Sequence, residues 1–313
     1  LAGLVVLGVA ALVPASDLAV ALLNRLVTAV ITPVLLPRLE WAAGVPAEFR
    51  TLVVVPTLLT GLDDVEEQVE QMEIHYLANA DGDVRFALVS DWLDADTETA
   101  SGDEEILAAA RAAIARLNES HGPAPGGGAR FYLFHRRRFW NAGERTWMGW
   151  ERKRGKLHEL NRLLRGVTST TFLPEHGVAQ AVPDGVRYVV TLDADTRLPI
   201  GAVKRLVGTM AHSLNRPRLD RASQRVVEGY AVLQPRVTAP LPGRAGSVFQ
   251  RLSSGPSGID PYAAAVSDVY QDLFGEGSYT GKGIYDIDAF EAALAGRVPE
   301  NSLLSHDLFE GVF

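Results

Sequence analysis

Val186-Arg187-Tyr188-Val189-Val190-Thr191-Leu192-Asp193-Ala194-Asp195 is an apolar run that ends on two carboxylates one residue apart. The run reads as a buried strand, and the acids mark where it meets solvent. In open α/β sheets, ligands gather outside the carboxyl ends of the strands. Carboxylates this close can hold a hard divalent cation, and such a cation also binds phosphate oxygens. Asp193-x-Asp195 therefore points to a metal–diphosphate site. Taken alone, the same pattern also suits a plain polar strand end.

Outward from this segment, strands alternate with helical patterns. Strands are expected at 51–55, ended by Pro56, at 84–89, running into Ser90-Asp91, at 130–134 and at 229–234. Helical spacing covers 63–79, 103–120, 155–165 and 200–214. This alternation predicts a doubly wound, mostly parallel α/β sheet, with one domain over 51–313. No Gly-x-Gly-x-x-Gly follows the first strand, which argues against a dinucleotide-dependent oxidoreductase.

Residues 1–50 differ in kind. Leu1 to Pro14 carries no charged side chain, and Ser16 suits the N-cap of a second helix over 17–32. Polar Asp17, Asn24 and Thr28 fall on one side of that helix, as in an amphipathic segment lying on a membrane or on the protein's own core. The apolar run before it favours the membrane. The chain starts at Leu1 and stops at Phe313 inside a patterned segment, as expected of a piece of a longer protein. Acidic residues outnumber basic ones 38 to 30, for a net charge of −8, so a general nucleic-acid footprint is missing. With no cysteine, neither a disulfide nor Cys-ligated zinc contributes.

A nucleotide site on such a sheet draws on several strand ends: Thr57 after the first, Asp91 after the second, Asp193 and Asp195 after the fourth. Asp91 suits hydrogen bonds to a uracil or ribose, or a solvated loop. Gly155 permits a tight turn, so a helix opening there would present free N–H groups beside Lys156, a phosphate-binding arrangement. A solvated basic face is the alternative. Gly281-Lys282-Gly283 allows close backbone approach to a ligand, or simply a hairpin turn. Ser305-His306-Asp307 is not a hydrolase triad, because three consecutive residues cannot form the relay. Asp307 suits either a general base or a helix cap.

Five segments taken together resemble the glycosyltransferase region of cyclic β-1,2-glucan synthases. They are Leu52-Val-Val-Val-Pro-Thr57, the Lys-x-x-Lys-Leu stretch from Lys153, Thr191-Leu-Asp-Ala-Asp-Thr196, Thr280-Gly-Lys-Gly-Ile-Tyr-Asp286 and Leu304-Ser-His-Asp-Leu308. They also resemble the wider pattern of processive GT-A synthases. The resemblance implies a GT-A fold and an inverting glucosyltransferase that uses UDP-glucose to elongate a β-1,2-glucan. Asp307 would be the base. Asp193 and Asp195 would hold Mg²⁺ or Mn²⁺, and Thr57, Asp91, Lys156 and Asp193 would bind the donor. Gly281, Lys282 and His306 would meet the growing β-glucan acceptor. It further implies the remaining domains of a larger synthase, a bacterial inner membrane and a cytoplasmic catalytic domain. Alternatives are a GT-A synthase of another β-glycan and a non-catalytic nucleotide-binding domain of a membrane assembly. One departure is that no Gln-x-x-Arg-Trp-type motif follows Asp307 before Phe313, so the 51–313 domain is expected to be incomplete at its C-terminus.

Overall fold

The computed structural model describes residues 2–174, 180–220, 222–237, 269–275 and 279–298. The chain divides into two units, Leu1–Leu36 with Pro235–Ser278 and Pro37–Gln234 with Tyr279–Phe313.

The larger unit is built on a six-stranded sheet. In chain order its strands are β1 (Thr51–Leu59), β2 (Val84–Trp92), β3 (Phe131–His135), β6 (Tyr188–Thr191), β9 (Val232–Leu233) and β10 (Gly283–Asp286). Their spatial order is β3-β2-β1-β6-β10-β9. The first four are mutually parallel, and β10 runs antiparallel to both β6 and β9. Strand alternation divides the core into two layers. Val53, Val55, Phe86 and Leu88 pack with α2 (Leu62–Asn79), α3 (Asp103–His121) and α5 (Ala202–Ala211). Leu52, Val54, Ala87 and Val89 pack instead with Leu157 and Leu160 of α4 (Arg152–Leu164) and with Ile287 and Phe290 of the helix Ile287–Leu294. Burial on both faces explains why these strands read as continuous apolar runs rather than alternating ones. The mixed α/β, mostly parallel sheet is as the sequence led us to expect.

Several local expectations needed correction. Pro56 does not end β1. It pairs with Val89 of β2, whereas pairing to β6 stops at Val54. The Val54 carbonyl accepts from Leu192 on the β6 side, so the N–H that Pro56 lacks points where β1 has no partner. Gly155 does not open a helix, because α4 already begins at Arg152. A Cβ at Gly155 would lie 2.1 Å from the Trp150 carbonyl oxygen, so glycine is there for close packing. The Gly283 segment is strand β10 rather than a turn. Two small hairpins, β4 (Phe139–Asn141) with β5 (Thr146–Met148) and β7 (Arg218–Asp220) with β8 (Arg225–Glu228), were not anticipated.

In the smaller unit, α1 is one helix over Ala2–Val30 that runs through Pro14 and Ser16, so Ser16 caps nothing. Pro14 removes one hydrogen bond, and the Ala, Leu and Val residues on both sides supply the rest. Val6–Val30 is 25 residues long and none of it is buried. At 1.5 Å per residue it reaches about 37 Å, enough to cross a hydrocarbon core of about 30 Å. Leu12, Leu18, Leu22, Leu23 and Leu26 are all exposed. In Triton X-114 phase separation, the whole chain is expected in the detergent phase and a chain beginning at Arg50 in the aqueous phase. An equal distribution of the two would show that α1 is not what drives partition.

Candidate functional site

Because β1, β2 and β6 are parallel, Thr57, Asp91 and Asp193 reach the same edge of the sheet. Beyond β6 the chain turns: the Thr196 N–H donates to the Asp193 carbonyl at 3.0 Å, and the Asp193 N–H donates to Thr196 Oγ1 at 3.3 Å. The turn leaves the Asp193 side chain half-buried and Asp195 exposed. Two ammonium groups converge on Asp193. Lys153 Nζ donates to Oδ1 at 2.6 Å and Lys282 Nζ lies 2.5 Å from Oδ2. Lys153 also donates to the Gly281 carbonyl at 2.9 Å, tying the start of α4 to the loop before β10. Burial pushes the Asp193 carboxyl up, but the hydrogen bonds from Lys153 and Lys282 outweigh it, so the group stays below the usual carboxylate range.

Behind this edge lies a buried ion network. Arg136 is fully buried and uses all five of its N–H groups. Two go to Asp91 at 2.6 and 2.9 Å, and one goes to Glu159 at 2.9 Å. The remaining two reach the carbonyls of Trp150 and Arg152 at 3.0 and 3.1 Å. Those carbonyls flank Glu151, which enters α4 in the left-handed region at φ +46°, followed by Arg152 at +48°. Such backbone persists only where surrounding contacts over-determine it. Arg136 supplies them, and thereby aims the first turn of α4, with Lys153, at Asp193.

Lys156 belongs to the same network. It is 3% exposed, donates to the Thr57 carbonyl at 2.6 Å and lies 3.1 Å from Asp91 Oδ2. Burial lowers its pKa. It sits in the second turn of α4, so the expectation of Lys156 beside free helix N–H groups is not met: the helix starts a turn earlier and the ammonium points inward. Asp91 is also turned inward. Both of its oxygens are taken by Arg136 and Lys156, and a Cβ on Gly149 would fall 2.5 Å from its carboxyl carbon. Thr57 is buried, with its carbonyl in the network. Gly281 and Lys282, expected on the acceptor side, lie against Lys153 and Asp193. His306 and Asp307 lie outside the described residues.

The sequence did not single out Arg136 and Glu159 as members of this network. The only hint was that the Arg136-Arg137-Arg138 run follows a strand directly, at the edge where ligands gather. His135, at the end of β3, is another buried polar group. It contacts Ser90 Oγ through Nδ1 at 2.8 Å, and burial lowers its pKa to about 3, so the ring is neutral.

No protein-family model matches the chain. Over 301 residues, 96% of its length, the chain is 52% identical to a cyclic beta-(1,2)-glucan synthase, NdvB, of Rhizobium meliloti (strain 1021). The chain is thus similar to one part of a cyclic β-(1,2)-glucan synthase. It spans about a tenth of that protein's length, 10%. A solved structure, the mannosyltransferase PcManGT from Pyrobaculum calidifontis in complex with GDP-Man and Mn²⁺, aligns over 66% of this chain and 44% of its own, at 17% identity and a TM-score of 0.32. So loose an overlap assigns no residue. The resemblance drawn from the five sequence segments is thus matched by identity across nearly the whole chain.

For a cation, the described donors are Asp193 and Asp195, both hard oxygen ligands on one short turn. No group of three or more His, Cys, Asp or Glu side chains suited to a metal occurs among the described residues. Two carboxylates fit a Mg²⁺-like ion that completes its shell with water and substrate phosphate, not a site made wholly of protein.

Proposed function

We propose that this chain is the GT-A glucosyltransferase part of a larger membrane-bound synthase, elongating a β-1,2-glucan from UDP-glucose. The observation that carries the reading is the 52% identity to a cyclic beta-(1,2)-glucan synthase across 96% of the chain. The convergence of Asp193, Lys153 and Lys282 at the carboxyl edge of a parallel sheet supports it with chemistry suited to a diphosphate. The exposed helix Val6–Val30 supports attachment to a membrane, which we take to be a bacterial inner membrane with the catalytic unit cytoplasmic.

UDP-glucose is α-linked and the product β-linked, so transfer is a single inverting displacement. The acceptor's 2-hydroxyl oxygen forms a bond to the anomeric carbon as the bond to UDP breaks, and the electron pair leaves with UDP. Asp307 takes the hydroxyl proton. Lys153 and Lys282 place positive charge where the leaving diphosphate gathers negative charge. Arg136, Asp91 and Lys156 keep the first turn of α4 and the end of β1 in position without touching the sugar. Asp193 and Asp195 would hold Mg²⁺ or Mn²⁺, which when bound neutralises the departing diphosphate.

The test is radiolabelled UDP-glucose incorporation by the full-length parent, with linkage analysis of the product. A 1,2-linked product supports the reading, and another β-linkage makes the protein a related synthase. UDP binding without incorporation makes this a nucleotide-binding module. Asp195→Asn is expected to lower UDP affinity about tenfold in Mn²⁺ and little in EDTA, since the amide loses only the charge that holds the cation. Equal affinity of the variant and the parent in Mn²⁺ would remove Asp195 from the metal site.

A further inference from the structure

Asp193 is held by more cations than its charge requires. Each carboxylate oxygen faces its own ammonium, Lys153 at 2.6 Å and Lys282 at 2.5 Å. All three side chains are partly open to solvent, at 24%, 22% and 34% exposure, so none is locked into the core. A divalent ion bound to a carboxylate sits about 2.0–2.1 Å from its oxygen. Such an ion on Asp193 would crowd the two ammoniums and meet like charge, so at least one of them must leave. The two lysines are not equivalent. Lys153 lies in the first turn of α4 and has a second acceptor in the Gly281 carbonyl. Lys282 has Asp193 as its sole side-chain partner among the described residues and lies on the loop entering β10, next to Gly281 at φ +71°. Lys282 is therefore the one that leaves.

We propose that Lys282 is an exchangeable occupant of Asp193: when a divalent cation takes the carboxylate, the Lys282 ammonium moves to the diphosphate of the nucleotide donor. This rests on the donor-site reading above and adds to it a coupling between cation and nucleotide. Cation and diphosphate assist one another because each takes one half of an existing ion pair. Lys282 then serves the leaving group rather than the acceptor.

The experiment is a double-mutant cycle on the whole chain in detergent, with Asp193→Asn, Lys282→Met and the pair. Calorimetry reads UDP affinity in EDTA and Mn²⁺ affinity without nucleotide. Lys282→Met is expected to tighten Mn²⁺ about three- to tenfold, because the carboxylate loses a competitor. Asp193→Asn is expected to tighten UDP in EDTA by a similar factor, because Lys282 is set free. In the double variant that gain disappears, since the liberated ammonium is gone. Purely additive changes, as independent field effects would give, overturn the exchange. So does a Mn²⁺ affinity unchanged by Lys282→Met. Lys153→Met in the same cycle is expected to leave most of the Asp193→Asn gain; if it erases the gain while Lys282→Met does not, the assignment of the moving lysine is wrong. Asp195→Asn controls for simple loss of negative charge and is expected to leave UDP affinity in EDTA little changed, whereas Asp193→Asn raises it. Absence of UDP binding by the unaltered chain would instead overturn the donor site itself.

Discussion

Asp307→Asn is expected to cut glucosyl transfer by about two to four orders of magnitude, the usual worth of a general base. Asparagine keeps the size of aspartate and caps a helix about as well, so the melting temperature should hardly move. UDP affinity should also survive, because the groups that converge for the diphosphate, Lys153, Asp193 and Lys282, belong to other segments. Melting, UDP binding and turnover measured on one preparation of the full-length parent separate the two roles open to Asp307. Turnover lost with folding and binding intact identifies the base. A lower melting temperature with turnover per folded molecule preserved makes Asp307 a cap, and the base must then lie elsewhere.

Arg136→Ala is expected to cost about 3–5 kcal/mol of stability, the range for breaking a buried ion pair from one side. The substitution takes the guanidinium from buried Asp91 and Glu159, leaving Asp91 only Lys156 and Glu159 only Thr171, and frees the carbonyls that hold the left-handed entry to α4. Chemical denaturation of a chain beginning at Arg50 reads the loss. A change below about 1 kcal/mol, the value of an exposed pair, would show that the network is not what holds this end of the sheet. The pH dependence follows from Asp91. Burial pushes its carboxyl up, but Lys156 and Arg136 together hold it below the usual carboxylate range. A carboxyl lowered on folding contributes fully above its unfolded pKa, about 3.9. That contribution is lost as the pH falls from there through the lower folded value. The unaltered protein should therefore weaken more steeply below about pH 4 than Arg136→Ala does.

Much of this was readable from the chain itself. Strands buried on both faces must be apolar throughout, so the cores of β1, β2, β3 and β6 were visible as runs of Val, Leu and Phe, with helical periodicity between them. An acid at the end of such a run must meet solvent or a cation, which brought Asp193 and Asp195 forward before any coordinates. Tertiary structure decided what each charged side chain faces. Thr57, Asp91 and Lys156 are near neighbours only because β1 pairs with β2 and α4 packs across both, and that packing turns all three inward. In the sequence Arg136 is one of three consecutive arginines with nothing to set it apart, yet all five of its N–H groups are satisfied. Lys153 and Lys282 are 129 positions apart in the chain numbering, by 282 − 153, and no local pattern announces that both will end on Asp193. Periodicity reports the face a residue occupies, because that is a local property of helix and strand. Which opposite charge waits on that face depends on strand order and helix docking, and those are settled only when distant segments pack.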